Sequence, residues 1–334
     1  HLVGDYNKEK IYVQSTDVDR TLMSAECNLA ALFPPNSSEK LTPSLPWQPV
    51  PIHTTSEHLD SVLAAKAPCP RYDLELIKVK NSKEIQDLNK KYKDLFKYLT
   101  MNSGRAIENI SEVEFLYDVL LIENNNNLTL PNWTASVFPH PMDEVARWSF
   151  ALPTWNKELG RLKSGLLIGD MVKHFKDKHA NKINNRHLWF YSAHDSTVAN
   201  LLNTLGVFDL HNPPYSATVL LELRVKNNQS IVTLVYRNST TKGPYLLTIP
   251  GCSPGCPLDQ FIKLTEDVIP KDWKLECHAH YFFDLTSDLP FNTIAIFAMV
   301  TSILLIFLLV TSMSFYWQRK KPKHVYHKLK AETI

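Results

Sequence analysis

From Leu289 to Gln318 the chain carries no charged side chain, and its centre, Ile294–Tyr316, is rich in Ile, Leu, Phe and Val. A helix needs about 20 consecutive apolar residues to cross the hydrocarbon core of a bilayer, and this run is long enough. Asp284 and Asp288 precede it, and Arg319-Lys320-Lys321 follows it. The positive-inside rule places the basic side in the cytoplasm. A single-pass type I anchor is therefore expected: a juxtamembrane linker at 281–292, a transmembrane helix at 293–317 and a cytoplasmic tail at 318–334, with everything before lumenal or extracellular. The tail from Gln318 onward holds six Lys or Arg against Glu332, so the formal charge of +2 leaves residues 1–317 mildly acidic. A nucleic-acid partner, which needs a basic face, is not expected.

An exported chain needs a signal peptide, yet this sequence opens His-Leu-Val-Gly-Asp, with no Met and no apolar leader. Either processing removes the leader or the sequence is a fragment, and the motif content below favours a fragment. N-x-S/T sequons stand at Asn36, Asn109, Asn127, Asn132, Asn228 and Asn238, all before the apolar run. That placement fits passage through the secretory pathway. Of the five cysteines, Cys252-Ser-Pro-Gly-Cys256 encloses a turn that brings the two sulfurs together. A small structural disulfide suits it better than a redox or zinc half-site. Cys27, among apolar residues of a helical stretch, is expected to be a buried thiol.

Strand-like and helical patterns alternate. Ile11–Ser15 reads as a buried strand, followed by a helix over about 20–33 that Thr16 and Asp19 would cap. A strand is expected at Val50–His53. Residues 56–161 change in texture, with helical patterns such as Glu84–Leu99 and Glu112–Leu121. A mostly helical insertion at 56–161 within an α/β core at 1–55 and 162–280 is expected. The core resumes with a helix over about 164–176, the strand Leu188–Ser192, a helix over 196–205, strands Thr218–Val225 and Ser230–Tyr236 around Asn227-Asn228, and a helix within 256–268. This alternation argues for an α/β sheet with its ligand site at the carboxyl ends of the strands.

Two segments share one geometry of apolar strand, polar turn and helix: Ser15-Thr-Asp-Val-Asp-Arg20 and Tyr191-Ser-Ala-His194-Asp195. Helix N-termini favour an anion, Arg20 adds a planar donor suited to phosphate or carboxylate, and His194 and Asp195 can bind an anion or move a proton. Asp17 and Asp19 serve equally well as helix caps, and a histidine after a strand is often structural. The histidines form no metal-ligand motif, so no metal and no cofactor is expected.

Longer blocks carry a resemblance. Ser15-Thr-Asp-Val-Asp-Arg-Thr-Leu-Met-Ser-Ala25, Asn28–Pro35, Trp47–His53, Tyr191-Ser-Ala-His-Asp195, Pro213-Pro-Tyr215, Tyr236-Arg-Asn238 and Pro250–Pro257 resemble the prostatic and lysosomal acid phosphatases, members of the histidine acid phosphatase family. The resemblance implies a three-layer, phosphoglycerate-mutase-like core with a smaller helical insertion domain, and metal-free hydrolysis of small phosphomonoesters or phosphoproteins. It implies that Arg20 and His194 bind the phosphate and that Asp195 is the proton donor, with a phosphohistidine intermediate. It also implies a Cys69–Cys277 disulfide and a homodimer formed around Trp47 and His53. The family's Arg-His-Gly motif, which holds the nucleophile, occurs nowhere in these residues. Truncation is expected to remove that motif together with a central strand, leaving this chain inactive; a non-catalytic membrane glycoprotein with a residual anion pocket is the alternative. Tyr326-His-Lys-Leu329 has the form of an endosomal and lysosomal sorting signal read by an adaptor.

Overall fold

In the computed structural model, residues 5–183, 185–278 and 291–320 are described, and the chain divides into two compact units, 1–279 and 280–334. Within the first unit, β1 (Ile11–Thr16) buries Ile11, Val13 and Ser15 on one face. It lies parallel between β2 (His53–Thr55) and β3 (Leu188–Ser192), with Gln14 opposite His53 and Ser15 opposite Ser192. Parallel neighbours need a crossover, and α1 (Asp19–Leu32) supplies the one from β1 to β2. Its buried residues Thr21, Ala25 and Leu29 follow a four-residue spacing, and Ala25 and Leu29 pack with Ile11, Val13 and Phe33. Cys27 lies off that stripe and is exposed, so the expected buried thiol is corrected. The expected cap is corrected too. Val18 is the N-cap residue and no side chain caps α1, because Thr16 belongs to β1 and is buried. The second strand begins three residues later than its pattern suggests, at His53.

The middle of the chain is helical: α2 (Pro70–Lys80), α3 (Lys83–Lys91), α4 (Lys93–Ser103), α5 (Ile110–Asn125) and α6 (Met142–Ala151). Phe96, Leu99, Ile110, Val113, Met142 and Val145 form its core. The single helical pattern over 84–99 breaks at Tyr92, whose φ of −101° and ψ of 12° leave the helix. Its hydroxyl donates to Glu144 Oε1 on α6 at 2.6 Å.

The long α7 (Lys157–His179) starts well before its sequence pattern because Asn156 Oδ1 accepts from Leu159 N at 2.9 Å. Gly165 lets it approach the segment after α9 (Leu258–Thr265) closely: a Cβ there would lie 2.2 Å from the Val268 carbonyl oxygen. α8 (Asp195–Thr204) follows β3. The antiparallel β4 (Thr218–Lys226) and β5 (Gln229–Arg237) join through Asn227 and Asn228, both at left-handed φ (50° and 60°). Asparagine tolerates that conformation in a two-residue hairpin turn. β6 (Tyr245–Leu247) and β7 (Cys256–Pro257) pair with the far side of β5. Among the described residues, β3 and β4 each end a sheet with one edge unpaired.

Two disulfides close the unit, Cys69–Cys277 and Cys252–Cys256. The first joins the start of α2 to the residue after α10 (Trp273–Glu276). Beside it, Arg161 of α7 holds Glu276 through paired bonds of 2.6 and 2.7 Å. In the second unit, α11 (Phe291–Lys320) has a stretch, Met299–Tyr316, of mean hydropathy 2.0 with none of it buried. It is long and apolar enough to cross a membrane. The tyrosine motif at 326–329 lies outside the described residues.

Candidate active site

β1 and β3 are adjacent and parallel, so their carboxyl ends open at the same edge. The chain leaves Thr16 through Asp17-Val18 into α1, and leaves Ser192 through Ala193-His194 into α8. Arg20, in the first turn of α1, thereby meets His194, just before α8. Arg20 Nη2 lies 3.3 Å from His194 Nδ1, and His194 Nε2 lies 3.2 Å from Thr16 Oγ1. A guanidinium can only donate, so Nδ1 accepts and the ring proton sits on Nε2, facing Thr16. The Thr16 hydroxyl then donates to Thr21 Oγ1 at 2.7 Å, and Thr21 passes its own proton to the Val18 carbonyl at 2.8 Å. Ser192 Oγ donates to the Thr21 carbonyl at 2.7 Å. These three hydroxyl residues are buried, and each polar group is satisfied. The chain of bonds holds one tautomer and one orientation of the imidazole.

Burial and, secondly, the Arg20 charge hold the His194 pKa below the ordinary histidine value, with Asp195 opposing. Both causes favour the neutral imidazole over the charged one beside this permanent cation. Asp195, the first residue of α8, is exposed, and its Oδ1 accepts from the Ser196 N–H at 2.6 Å. The structure therefore brings together the three residues singled out in the sequence, Arg20, His194 and Asp195. Neither Asp17 nor Asp19 makes a capping bond.

Further groups around this centre were not legible from local pattern. Glu57 feels both His194 and Arg20, and a bond from Lys66 is the main cause of its lowered pKa. On α5, burial pushes Glu114 up to about 7, reinforced by Asp195 and Asp118. Asp118, one helical turn away, is raised by burial and then by Asp195, with Arg20 opposing. The Tyr215 phenol is raised by burial, Asp118 and Asp195. Carboxylates thus gather around Asp195, and cations gather around His194. Among the described residues no three His, Cys, Asp or Glu side chains are grouped to hold a metal ion.

Of the sequons, Asn36, Asn127, Asn132 and Asn228 are exposed. Asn109 caps α5, its Oδ1 accepting from Ser111 and Glu112 N–H. Asn238 Nδ2 donates to Tyr245 Oη at 3.2 Å. His53 stacks on Tyr12 with ring centres 4.8 Å apart, and Trp47 is exposed.

Residues 1–237 match the family model described as histidine phosphatase superfamily, branch 2. The prostatic acid phosphatase of Homo sapiens is 39% identical over 279 residues, covering 81% of this chain and 72% of that protein. The lysosomal acid phosphatase of Rattus norvegicus is 31% identical over 331 residues, covering 98% of this chain and 77% of that protein. Among solved structures, the phytase of Klebsiella sp. ASR1 aligns with a TM-score of 0.57 at 15% identity, over 83% of this chain and 82% of that one. That likeness shows the fold.

Proposed function

We propose, since this chain belongs to branch 2 of the histidine phosphatase superfamily, that it forms most of a membrane-anchored acid phosphatase acting on phosphate monoesters. The observation that carries the proposal is the meeting of Arg20 and His194 at the carboxyl ends of β1 and β3. Arg20 supplies the charge and donors for a phosphate, and His194 donates to a phosphate oxygen once its Nε2–H turns from Thr16 or its Nδ1 takes up a proton in place of the Arg20 bond. Asp195 gives its proton to the leaving oxygen. In the first step a histidine nitrogen bonds to phosphorus as the ester P–O bond breaks; water then cleaves the P–N bond and releases inorganic phosphate. Asp195 must be protonated for the first step, so an acidic medium is favoured.

The nucleophile is the part these residues do not supply, for they contain no Arg-His-Gly. We propose that the open edges of β3 and β4 receive the strand that carries it, and that the chain without that strand has no turnover. The test is hydrolysis of an aryl phosphate at acidic pH by a protein that includes an upstream Arg-His-Gly segment, with and without His194→Ala. Wild-type turnover in His194→Ala would sink the assigned role. A second reading, a membrane glycoprotein that keeps an anion pocket without catalysis, draws support from the same missing motif. An upstream genomic sequence that joins a signal peptide directly to His1 would favour it.

α11 fits a single-pass type I anchor with the folded unit in the lumen, and carbonate extraction with protease protection would test this. The six sequons are the proposed sites of glycosylation, the four exposed ones best placed, with Asn109 and Asn238 less suited because each side chain is half-buried and engaged in a hydrogen bond. A homodimer around Trp47 and His53, sorting through the 326–329 motif and a phosphoprotein as substrate belong to the same proposal.

A further inference from the structure

The segment 56–67 is held rigidly beside His194. Asp60 is almost fully buried, and its carboxylate accepts from the N–H groups of Val62, Leu63 and Ala64 at 2.8, 2.8 and 2.9 Å. Its carbonyl accepts from Lys66 N at 2.8 Å. Thr197 Oγ1 donates to the Leu63 carbonyl at 3.3 Å and itself accepts from His194 N at 3.4 Å. A single hydroxyl thus links the backbone of His194 to this segment. On the other side, the Ala65 carbonyl accepts from Lys163 Nζ at 2.8 Å. Burial is the main cause that lowers the pKa of this lysine. Ala65 itself sits at φ 49°, a left-handed conformation that costs a non-glycine residue energy and persists only when its surroundings enforce it.

The outcome of this bracing is the placement of Lys66. Its side chain is 57% exposed, and Nζ engages Glu57 Oε1 at 2.5 Å. Among the described residues that bond uses one of the three ammonium donors. The Lys66 charge also reaches the His194 ring, where it adds to the effect of Arg20.

We propose that Lys66 is a specificity-determining residue that contacts a second anionic group, carboxylate or phosphate, on a phosphate monoester held at Arg20 and His194. Glu57 competes with that group for the ammonium and so sets how strong the preference is. The inference rests on the phosphate-site reading above.

The test is calorimetric binding to the purified chain of inorganic phosphate and of a matched pair of non-hydrolysable ligands, benzylphosphonate and 4-carboxybenzylphosphonate. Wild type should prefer the carboxylated ligand by roughly three- to tenfold, as one partly screened charge contact allows, and less at high salt. Lys66→Met should abolish that preference while benzylphosphonate and phosphate bind within about twofold of wild type. Glu57→Gln, which frees the ammonium, should increase the preference. No preference in wild type, or a preference unchanged in both variants, overturns the role of Lys66. Phosphate binding that is absent in wild type, or unaffected by Arg20→Ala, overturns the underlying phosphate site instead.

Discussion

Arg20 Nη2 and His194 Nδ1 stand 3.3 Å apart, so the imidazole accepts at the nitrogen facing the guanidinium and keeps its proton toward Thr16. Arg20 lies in the helix that follows β1, and His194 immediately precedes the helix that follows the neighbouring parallel strand β3. Their meeting depends on the sheet, not on either helix alone.

Arg20→Ala should raise the pKa of His194, because the arginine charge is the second cause, after burial, that holds it down. The shift is read from the imidazole C–H resonances during an NMR titration. Phosphate affinity should fall by roughly ten- to a hundredfold, the scale of a lost bond to a charged group. Arg20→Lys should keep more of the pKa effect than of the affinity, since it retains the charge and loses the fork. An unmoved His194 titration would refute the pairing.

Glu114 makes the folded unit's stability depend on pH in a definite direction. Its pKa is about 7 in the fold against 4.5 as the reference. The protonated form is therefore favoured by folding, and its stabilisation is full below 4.5 and is lost as pH rises through about 7. Glu114→Gln should melt at nearly the wild-type temperature at pH 4 and increasingly above it toward pH 8. A difference that does not change with pH would count against this account.

Gly165→Ala should be among the most damaging single-methyl additions. The new Cβ would lie 2.2 Å from the Val268 carbonyl oxygen and 2.7 Å from Pro270 Cδ. Backbone cannot yield as a side-chain tip does, so a loss of about 1–3 kcal/mol or more is expected. Chemical denaturation would measure it. Gly104→Ala serves as the comparison, since no atom lies within 4 Å of its added carbon. Its cost should come from a φ of 71° instead.

Replacing both Cys69 and Cys277 by serine should cost about 2–5 kcal/mol, because the bond closes a separation of 208 residues. Replacing Cys252 and Cys256 should cost less, since only four residues separate them. Thermal melts of the two double variants, with and without reductant, would rank them.

Much of the sheet could be read from the sequence. β3 coincides with its apolar run, β4 extends its own by one residue at the carboxyl end and β5 by one at each end, because alternation and an Asn-Asn turn are local signals. Arg20, His194 and Asp195 were legible for a similar reason, as polar residues at strand-to-helix turns. The start of α7 was not, because Leu159, Gly160, Leu162, Ser164 and Gly165 are buried together on several of its faces and leave no stripe to find. Thr16 resembled a cap by spacing, yet its partner is a histidine 178 positions away. Glu57, Lys66, Glu114 and Asp118 gave no signal, since charged residues on loops and helices look alike until the fold sets them beside a site.

The Cys69–Cys277 bond makes the residues between them a covalent ring. One proteolytic cut within that ring, for example at the exposed asparagines 124–127, divides the chain without separating its pieces. Residues before the cut, Arg20 among them, would stay linked through the disulfide to Cys277 and so to the strand of chain that leads to α11. A nicked molecule would then migrate as two fragments only after reduction, and release of the folded unit from α11 would need a cut beyond residue 277.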